Sequence, residues 1–271
     1  MSHGVQGSNS AQGSNGVQGS DSAGVPEANT RLSRIRRAAL HAAGPVTTAV
    51  GSLVAVRTRQ PHAVLTFDDG PEPGSTDRVL SVLAERRATA TFFVLVRRAQ
   101  RYPALLNEIV AAGHEIGLHG IDHRRLTRVD RDEVRRDLAD GHAQLQDLLG
   151  ARVRWFRPPY GAQTPSVWRS VRRQGLEPVL WGPCAWDWLP RPEAQLAAQA
   201  LRGLDRGTVL LAHDGFALSQ DGAADVPVPR IDRADLVRRI TDGMAERGLA
   251  GCSLTEALVH GTPRLVPWFR H

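Results

Sequence analysis

The chain contains no lysine. Its 34 cationic side chains other than histidine are all arginine, set against 28 acidic ones for a net charge of +6. No basic stripe results, because the arginines alternate with acids, as in Arg131-Asp132-Glu133-Val134-Arg135-Arg136-Asp137. Nucleic-acid binding, which needs clustered cations along a backbone-tracking face, is therefore not expected. An arginine bias spread over a whole chain instead fits GC-rich coding. Cysteine is nearly absent: Cys184 and Cys252 stand far apart, and no C-x-x-C pair exists. That excludes a disulfide framework and a cysteine-built zinc site, and both thiols read as ordinary buried residues. Aromatic residues make up only 5%, so the interior should be aliphatic, and the 41% of apolar residues is enough for a sizeable core.

A clean apolar run long enough to span a bilayer is also missing. Arg31, Arg34, Arg36 and Arg37 precede the apolar stretch Ala38–Val56, the order seen in a signal peptide or anchor. His41, Gly44, Pro45, Thr47, Thr48 and Gly51 interrupt that stretch and raise the cost of insertion. Residues 31–57 are therefore read as a helix and a strand (Ser52–Arg57) packed on the domain. The weak export signal favours the cytoplasm, with export or membrane contact through this segment as the alternatives. Residues 1–30 are rich in Gly, Ser, Asn and Gln, with Gln-Gly-Ser recurring at Gln6, Gln12 and Gln18. Such a segment buries too little apolar surface to offset its ordering entropy and is expected to be a flexible tail.

From residue 62 short apolar runs alternate with helical patterns. Strands are expected at Ala63–Phe67, Thr91–Leu95, Glu115–Leu118, Arg154–Phe156, Glu177–Leu180 and Thr208–Ala212. Helices are expected near 76–87, 97–112, 131–149, 165–174, 192–204 and 232–247; in the third, Val134, Leu138, Leu145 and Leu148 follow the 3.6-residue period. Repeated strand–helix units imply a parallel sheet with helices outside it. About seven strands suit a (β/α) barrel, whose chemistry sits at the C-terminal strand ends. The expected division is a catalytic domain over 58–262 and a C-terminal tail over 263–271.

Polar clusters fall at those strand ends. Thr66-Phe67-Asp68-Asp69-Gly70-Pro71 closes a strand with two adjacent carboxylates, which are costly if buried unless a cation compensates; a solvated turn is the other reading. His119-Gly120-Ile121-Asp122-His123 offers two histidines four apart, placed by that spacing on one face of a helical turn. Taken alone they could be surface histidines. With Asp69 they form a His-His-carboxylate set, which leaves a metal position open for water. Arg157-Pro158-Pro159-Tyr160-Gly161 would aim an arginine and a backbone N–H from a rigid turn, or be a plain proline turn. Trp181, Trp186 and Trp188 surround Asp187 and read equally as a sugar-stacking wall or as core. Leu210-Leu211-Ala212-His213 ends a strand in a histidine; paired with Asp187, its pKa should rise, as a general acid requires.

The five motifs in this order resemble the polysaccharide deacetylase family, the NodB-homology carbohydrate esterases of family 4, from about Ala63 to Ala217. The resemblance implies a distorted (β/α) barrel and a divalent metal on Asp69, His119 and His123. The metal is expected to be Zn2+, with Co2+ or Ni2+ as substitutes. It also implies Asp68 as catalytic base and Arg157 as the group that orients it. The Tyr160 N–H would help form an oxyanion hole, Asp187 would tune the acid, and His213 would be that acid. Tyr160, Trp186 and Trp188 would contact substrate. Two departures stand out. Gly120 replaces the family's usual Ser or Thr, with little harm expected to metal binding. Cys184 replaces the first Asp of the fourth motif, which alters what surrounds the acid and bears on substrate choice. The implied activity is N-deacetylation of an amino-sugar glycan such as chitooligosaccharide or peptidoglycan. Deacetylation of a small-molecule acetamide and a non-catalytic glycan-binding module are the alternatives.

Overall fold

The structure is a computed structural model and describes residues 50–270. The flexible tail expected over 1–30 and the helix expected within 31–57 lie outside the described residues. Six parallel strands run in the order β6–β5–β4–β3–β2–β7, where β2 is His62–Asp68, β3 Thr91–Leu95, β4 Glu115–Gly120, β5 Trp155–Phe156, β6 Glu177–Pro178 and β7 Val209–His213. A seventh, β8 (Ala250–Cys252), pairs with the first half of β2. The open side of this curled sheet is bridged by an antiparallel ribbon of β1 (Ser52–Thr58) and β9 (Gly261–Val266). Leu53 bridges to Val179 beyond β6, and Ala55 to Thr208 before β7. The distorted (β/α) barrel expected from the sequence is thus the fold.

Residues 263–266 are a correction: they were expected in a C-terminal tail but belong to β9, and the 262/263 boundary cuts that strand. Pro263 and the lack of period-2 alternation hid it, since proline is tolerated in a strand only at an edge, where the missing N–H faces no partner. The run expected as one helix near 97–112 is two, α2 (Val96–Arg101) and α3 (Pro103–Ala111). Pro103 forces Tyr102 out of the helical region (φ −128°, ψ 57°) and then starts α3 at its first position. The other helices are α1 (Thr76–Glu85), α4 (Arg131–Leu149), α5 (Pro165–Arg173), α6 (Glu193–Ala200), α7 (Arg233–Glu246) and α8 (Leu254–Val259). In α4 the Asp130 side chain accepts from the Asp132 and Glu133 N–H groups, and Gly150 (φ 57°) ends the helix in the left-handed conformation.

Strand alternation divides the core into two layers. Leu65, Phe67, Phe92, Val94, Leu118, Phe156 and Leu210 pack against the helices. Val64, Phe93, Trp155, Val179 and Val209 fill the barrel interior with Leu53 of β1. Because successive side chains in a strand point to opposite faces, this phase carries Thr66, Asp68, His119, Arg157 and His213 to the inner side as well. Each of the last four stands at or just beyond the C-terminal end of its strand.

Candidate active site

Asp68 ends β2 directly opposite His213, which ends β7. Arg157, fully buried, donates from Nη1 to Asp68 Oδ1 at 2.7 Å and to Thr66 Oγ1 at 2.8 Å, and from Nη2 to the Leu180 carbonyl at 3.1 Å. Its guanidinium lies 4.1 Å over the Phe93 ring. The Asp68 carboxylate is therefore fixed by a charge-assisted bond in a dry setting, the strong kind. Burial lowers the Arg157 pKa, opposed chiefly by the Asp68 charge.

Next to this pair, Asp69, His119 and His123 present one ligand atom each within 4.8 Å of one another. Asp69 Oδ1 lies 3.4 Å from His119 Nε2 and 3.3 Å from His123 Nε2. His119 Nδ1 is 2.8 Å from the Arg157 carbonyl, which it can only approach as a donor; the Nε2 lone pair is then left facing Asp69. Burial, outweighing the Asp69 charge, pushes the His123 pKa down to about 4, so its imidazole is neutral near pH 7, as a ligand must be. Burial would raise the Asp69 carboxyl, but His123, His119 and His213 outweigh it and hold the group far below the usual carboxylate range. Asp69 Oδ1 and His123 Nδ1 are buried without a hydrogen-bond partner. A buried acceptor left open beside two imidazoles fits a divalent cation, and the donor set of two nitrogens and one carboxylate oxygen suits zinc, cobalt or nickel.

His119 and His123 were expected on one helical turn. Instead His119 belongs to β4 and His123 to the irregular segment just after the bend at Ile121 and Asp122, Gly120 having φ 116°. A Cβ at Gly120 would lie 2.7 Å from the Asp122 carbonyl oxygen. The glycine is thus required by the backbone here, and more is at stake than a lost hydroxyl.

On the far side, His213 Nδ1 is 2.7 Å from Asp187 Oδ1, and the His213 N–H donates to Asp187 Oδ2 at 2.8 Å. Arg233 approaches the same Oδ2 at 3.3 Å. Burial disfavours the His213 imidazolium, but the Asp187 charge and hydrogen bond overcome it and raise the pKa to about 9. Asp187 itself is held below its usual range, burial being outweighed by His213 and Arg233. Asp214, fully buried and bonded to the Thr76 hydroxyl at 2.6 Å, is pushed up to about 7 by burial and by Asp69.

The three tryptophans divide. Trp181 packs against the inner core and against Gly161, where a Cβ would meet it at 2.7 Å. Trp186 and Trp188 stand 39% and 42% exposed, and Trp188 meets the His213 ring edge-on with centroids 5.6 Å apart. Tyr160 is exposed too, its ring 4.4 Å from that of His123. Of the four non-glycine residues with positive φ among the described residues, three are Asp69, Tyr160 and Trp186. Such conformations cost of order 1–3 kcal/mol and gather where a fold aims a group. Cys184 is buried, its thiol raised to about 12 by burial, so it brings no charge; Asp68 is the carboxylate partner of Arg157. Sequence reasoning missed Arg98, Asp221 and Arg233, three arginine or aspartate residues among many, with no local signal to single them out.

A family described as polysaccharide deacetylase matches residues 55–179. A chitooligosaccharide deacetylase of Azorhizobium caulinodans is 33% identical over 203 residues, which is 74% of this chain and 96% of that protein. The chain belongs to the polysaccharide deacetylase family. As such it is a hydrolase of carbon–nitrogen bonds other than peptide bonds. The structure of the peptidoglycan deacetylase PdaC from Bacillus subtilis superposes with a TM-score of 0.64 at 27% identity, covering 74% of this chain and 91% of that one. A pseudoenzyme of carbohydrate esterase family 4 from Bacillus anthracis has the same fold, with a TM-score of 0.67 at 20% identity over 81% of this chain and 71% of its own. The fold is therefore shared by active and inactive members, and activity has to be argued from the site.

Proposed function

We propose that this chain removes N-acetyl groups from an amino-sugar-containing glycan of the chitooligosaccharide or peptidoglycan kind, with a divalent metal held by Asp69, His119 and His123. The observation that carries the reading is the pair of groups flanking one ligand set: Asp68 bonded to Arg157 on one side, and His213, raised to about 9 and so an imidazolium, bonded to Asp187 on the other. An acceptor aimed by an arginine on one side and an imidazolium donor on the other suit a base and an acid. Bound at the three ligands, the ion would supply Lewis-acid polarisation of the acetyl carbonyl and a water of lowered pKa, and zinc is favoured for it.

In this reading Asp68 accepts the proton of the attacking water, and Arg157 keeps its carboxylate aimed. The Tyr160 N–H, carried on a turn stiffened by Pro158 and Pro159, donates to the developing oxyanion; a donor of this kind is worth about 3–4 kcal/mol. His213 then gives its proton to the departing nitrogen, without which an amide nitrogen leaves poorly, and Asp187 steadies the imidazole. Trp186 and Trp188 offer exposed ring faces to the sugar. Base, acid and ligands all being present argues against a non-catalytic glycan-binding module.

One observation favours the second reading, deacetylation of a small-molecule acetamide. Beside Trp188 a groove of about 710 Å³ runs between residues 188–193 and 226–230, lined by Pro190, Phe216, Val226 and Val228 among others. Val226 and Val228 are exposed large apolar side chains, which suit an apolar substituent better than a bare sugar chain.

Acetate release tests both. Chitotetraose, a peptidoglycan fragment and an aryl N-acetylglucosaminide are compared with native protein, chelated protein and protein resupplied with zinc. Zinc-restored release from either glycan supports the proposal. Release from the aryl compound alone moves the assignment to a small acetamide, and release that survives complete metal removal overturns the metal-dependent mechanism.

A further inference from the structure

We infer that Arg98 is a positioning residue for the metal site: one buried guanidinium joins the loop that carries Asp69 to the loop that braces both Asp69 and His123. The inference rests on the reading of Asp69, His119 and His123 as metal ligands. Arg98 lies on α2, is 4% exposed and touches none of the three. Its donors go instead to the segments around them. Nε and Nη2 reach Asp221 Oδ2 at 3.1 and 2.7 Å, and Nη2 also reaches the Phe216 carbonyl at 2.7 Å. Nη1 reaches Glu72 Oε2 at 2.9 Å.

Each of these partners leads to a ligand. Glu72 stands three residues after Asp69 in the same loop. The loop that follows β7, fixed by Phe216 and Asp221, donates from the Ala217 N–H to Asp69 Oδ2 at 3.1 Å. The Asp221 carbonyl accepts from the His123 N–H at 2.6 Å. Arg98 thus ties the loop after β2 to the loop after β7, and the loop after β4 joins them through the Asp221 carbonyl. Their packing is close as well: a Cβ at Gly215 would lie 2.8 Å from an Arg98 nitrogen and 3.2 Å from the Asp69 carbonyl carbon. A planar fork with donors in several directions makes such a tie, whereas an ammonium group, a single point charge, does not. Groups that orient ligands in this way commonly change metal affinity by about 10–100-fold.

The test measures zinc affinity by competition with a chromophoric chelator, alongside the melting temperature of the metal-free protein. Arg98→Met and Arg98→Lys should both bind zinc about 10–100-fold more weakly than wild type, Lys failing to restore the fork. Asp221→Asn keeps the carbonyl that meets His123 and should fall between them and wild type, so it also serves if Arg98→Met does not fold. A lowered metal-free melting temperature with wild-type zinc affinity in the folded variants would reduce Arg98 to a structural brace and overturn the inference. His123→Gln separates the two ideas: if it binds zinc as wild type does, the ligand assignment itself fails, whatever Arg98 does.

Discussion

Glu115 and Asp69 are both buried carboxylates of the same barrel, at opposite ends of its strands. Glu115, at the start of β4, accepts from the Thr91 hydroxyl at 2.8 Å, the Trp155 indole at 2.6 Å, and the N–H (3.2 Å) and hydroxyl of Thr255. Both of its oxygens are used, and every partner is a neutral donor. Asp69, past the end of β2, has one oxygen bonded to a backbone N–H and the other open toward two imidazoles. Burial alone distinguishes neither. What separates a carboxylate that closes a barrel from one that awaits a ligand is whether its acceptors are already satisfied, since an orphaned buried acceptor costs free energy that only a further partner recovers.

The largest effect that would sharpen this contrast is expected at the upper end. His213→Ala should lower kcat by about 10²–10⁴, the usual worth of a positioned general acid, and should also lower the melting temperature, because it leaves the buried Asp187 carboxylate without its imidazole partner. Steady-state rates and calorimetry on the same preparation check it, and near-wild-type turnover would remove His213 from the mechanism. Asp187→Asn comes next. Asp187 raises His213 from 6.5 to about 9 in the folded metal-free protein, so this contribution to stability is complete below pH 6.5 and is lost as pH rises toward 9. The variant should lower the His213 midpoint in an NMR titration by roughly 1–3 pH units and bring the alkaline limb of the rate profile down with it.

Glu115→Gln puts an NH2 group against donors, one of them a backbone N–H that cannot turn away. About 1–3 kcal/mol of stability should be lost in denaturant unfolding, with zinc affinity unchanged. Weaker zinc binding in that variant would break the division between the two ends. An effect of the same order is expected at Gly120→Ser, where a left-handed φ and the crowding carbonyl of Asp122 should cost on the order of 1–3 kcal/mol and loosen the turn between His119 and His123. A neutral result in thermal unfolding would mean that the turn relaxes freely.

Much of this was legible in the residues before any coordinates. Apolar runs of strand length, separated by helical periods, gave the parallel barrel, and the clusters around Asp68, His119, Arg157 and His213 fell at strand ends as read, whereas Asp187 sits in a turn nine residues past β6. Proline hid two features in different ways: Pro103 split a helix, and Pro263 disguised an edge strand. The backbone reason for Gly120 was invisible because a φ angle is set by where the chain must go next. Arg98, Asp221 and Arg233 carried no local pattern, since the partners through which they act lie 26 to 123 positions away.

The sequence by itself determined the period-2 and 3.6-residue patterns, and with them which side chains face inward, because side-chain direction in a strand follows from local geometry. Tertiary structure alone decided which acceptors are satisfied, which imidazole is neutral and which is charged, and which arginine ties the loops together. Those properties depend on distances of a few ångströms between groups far apart in the chain, and only the closed barrel sets them.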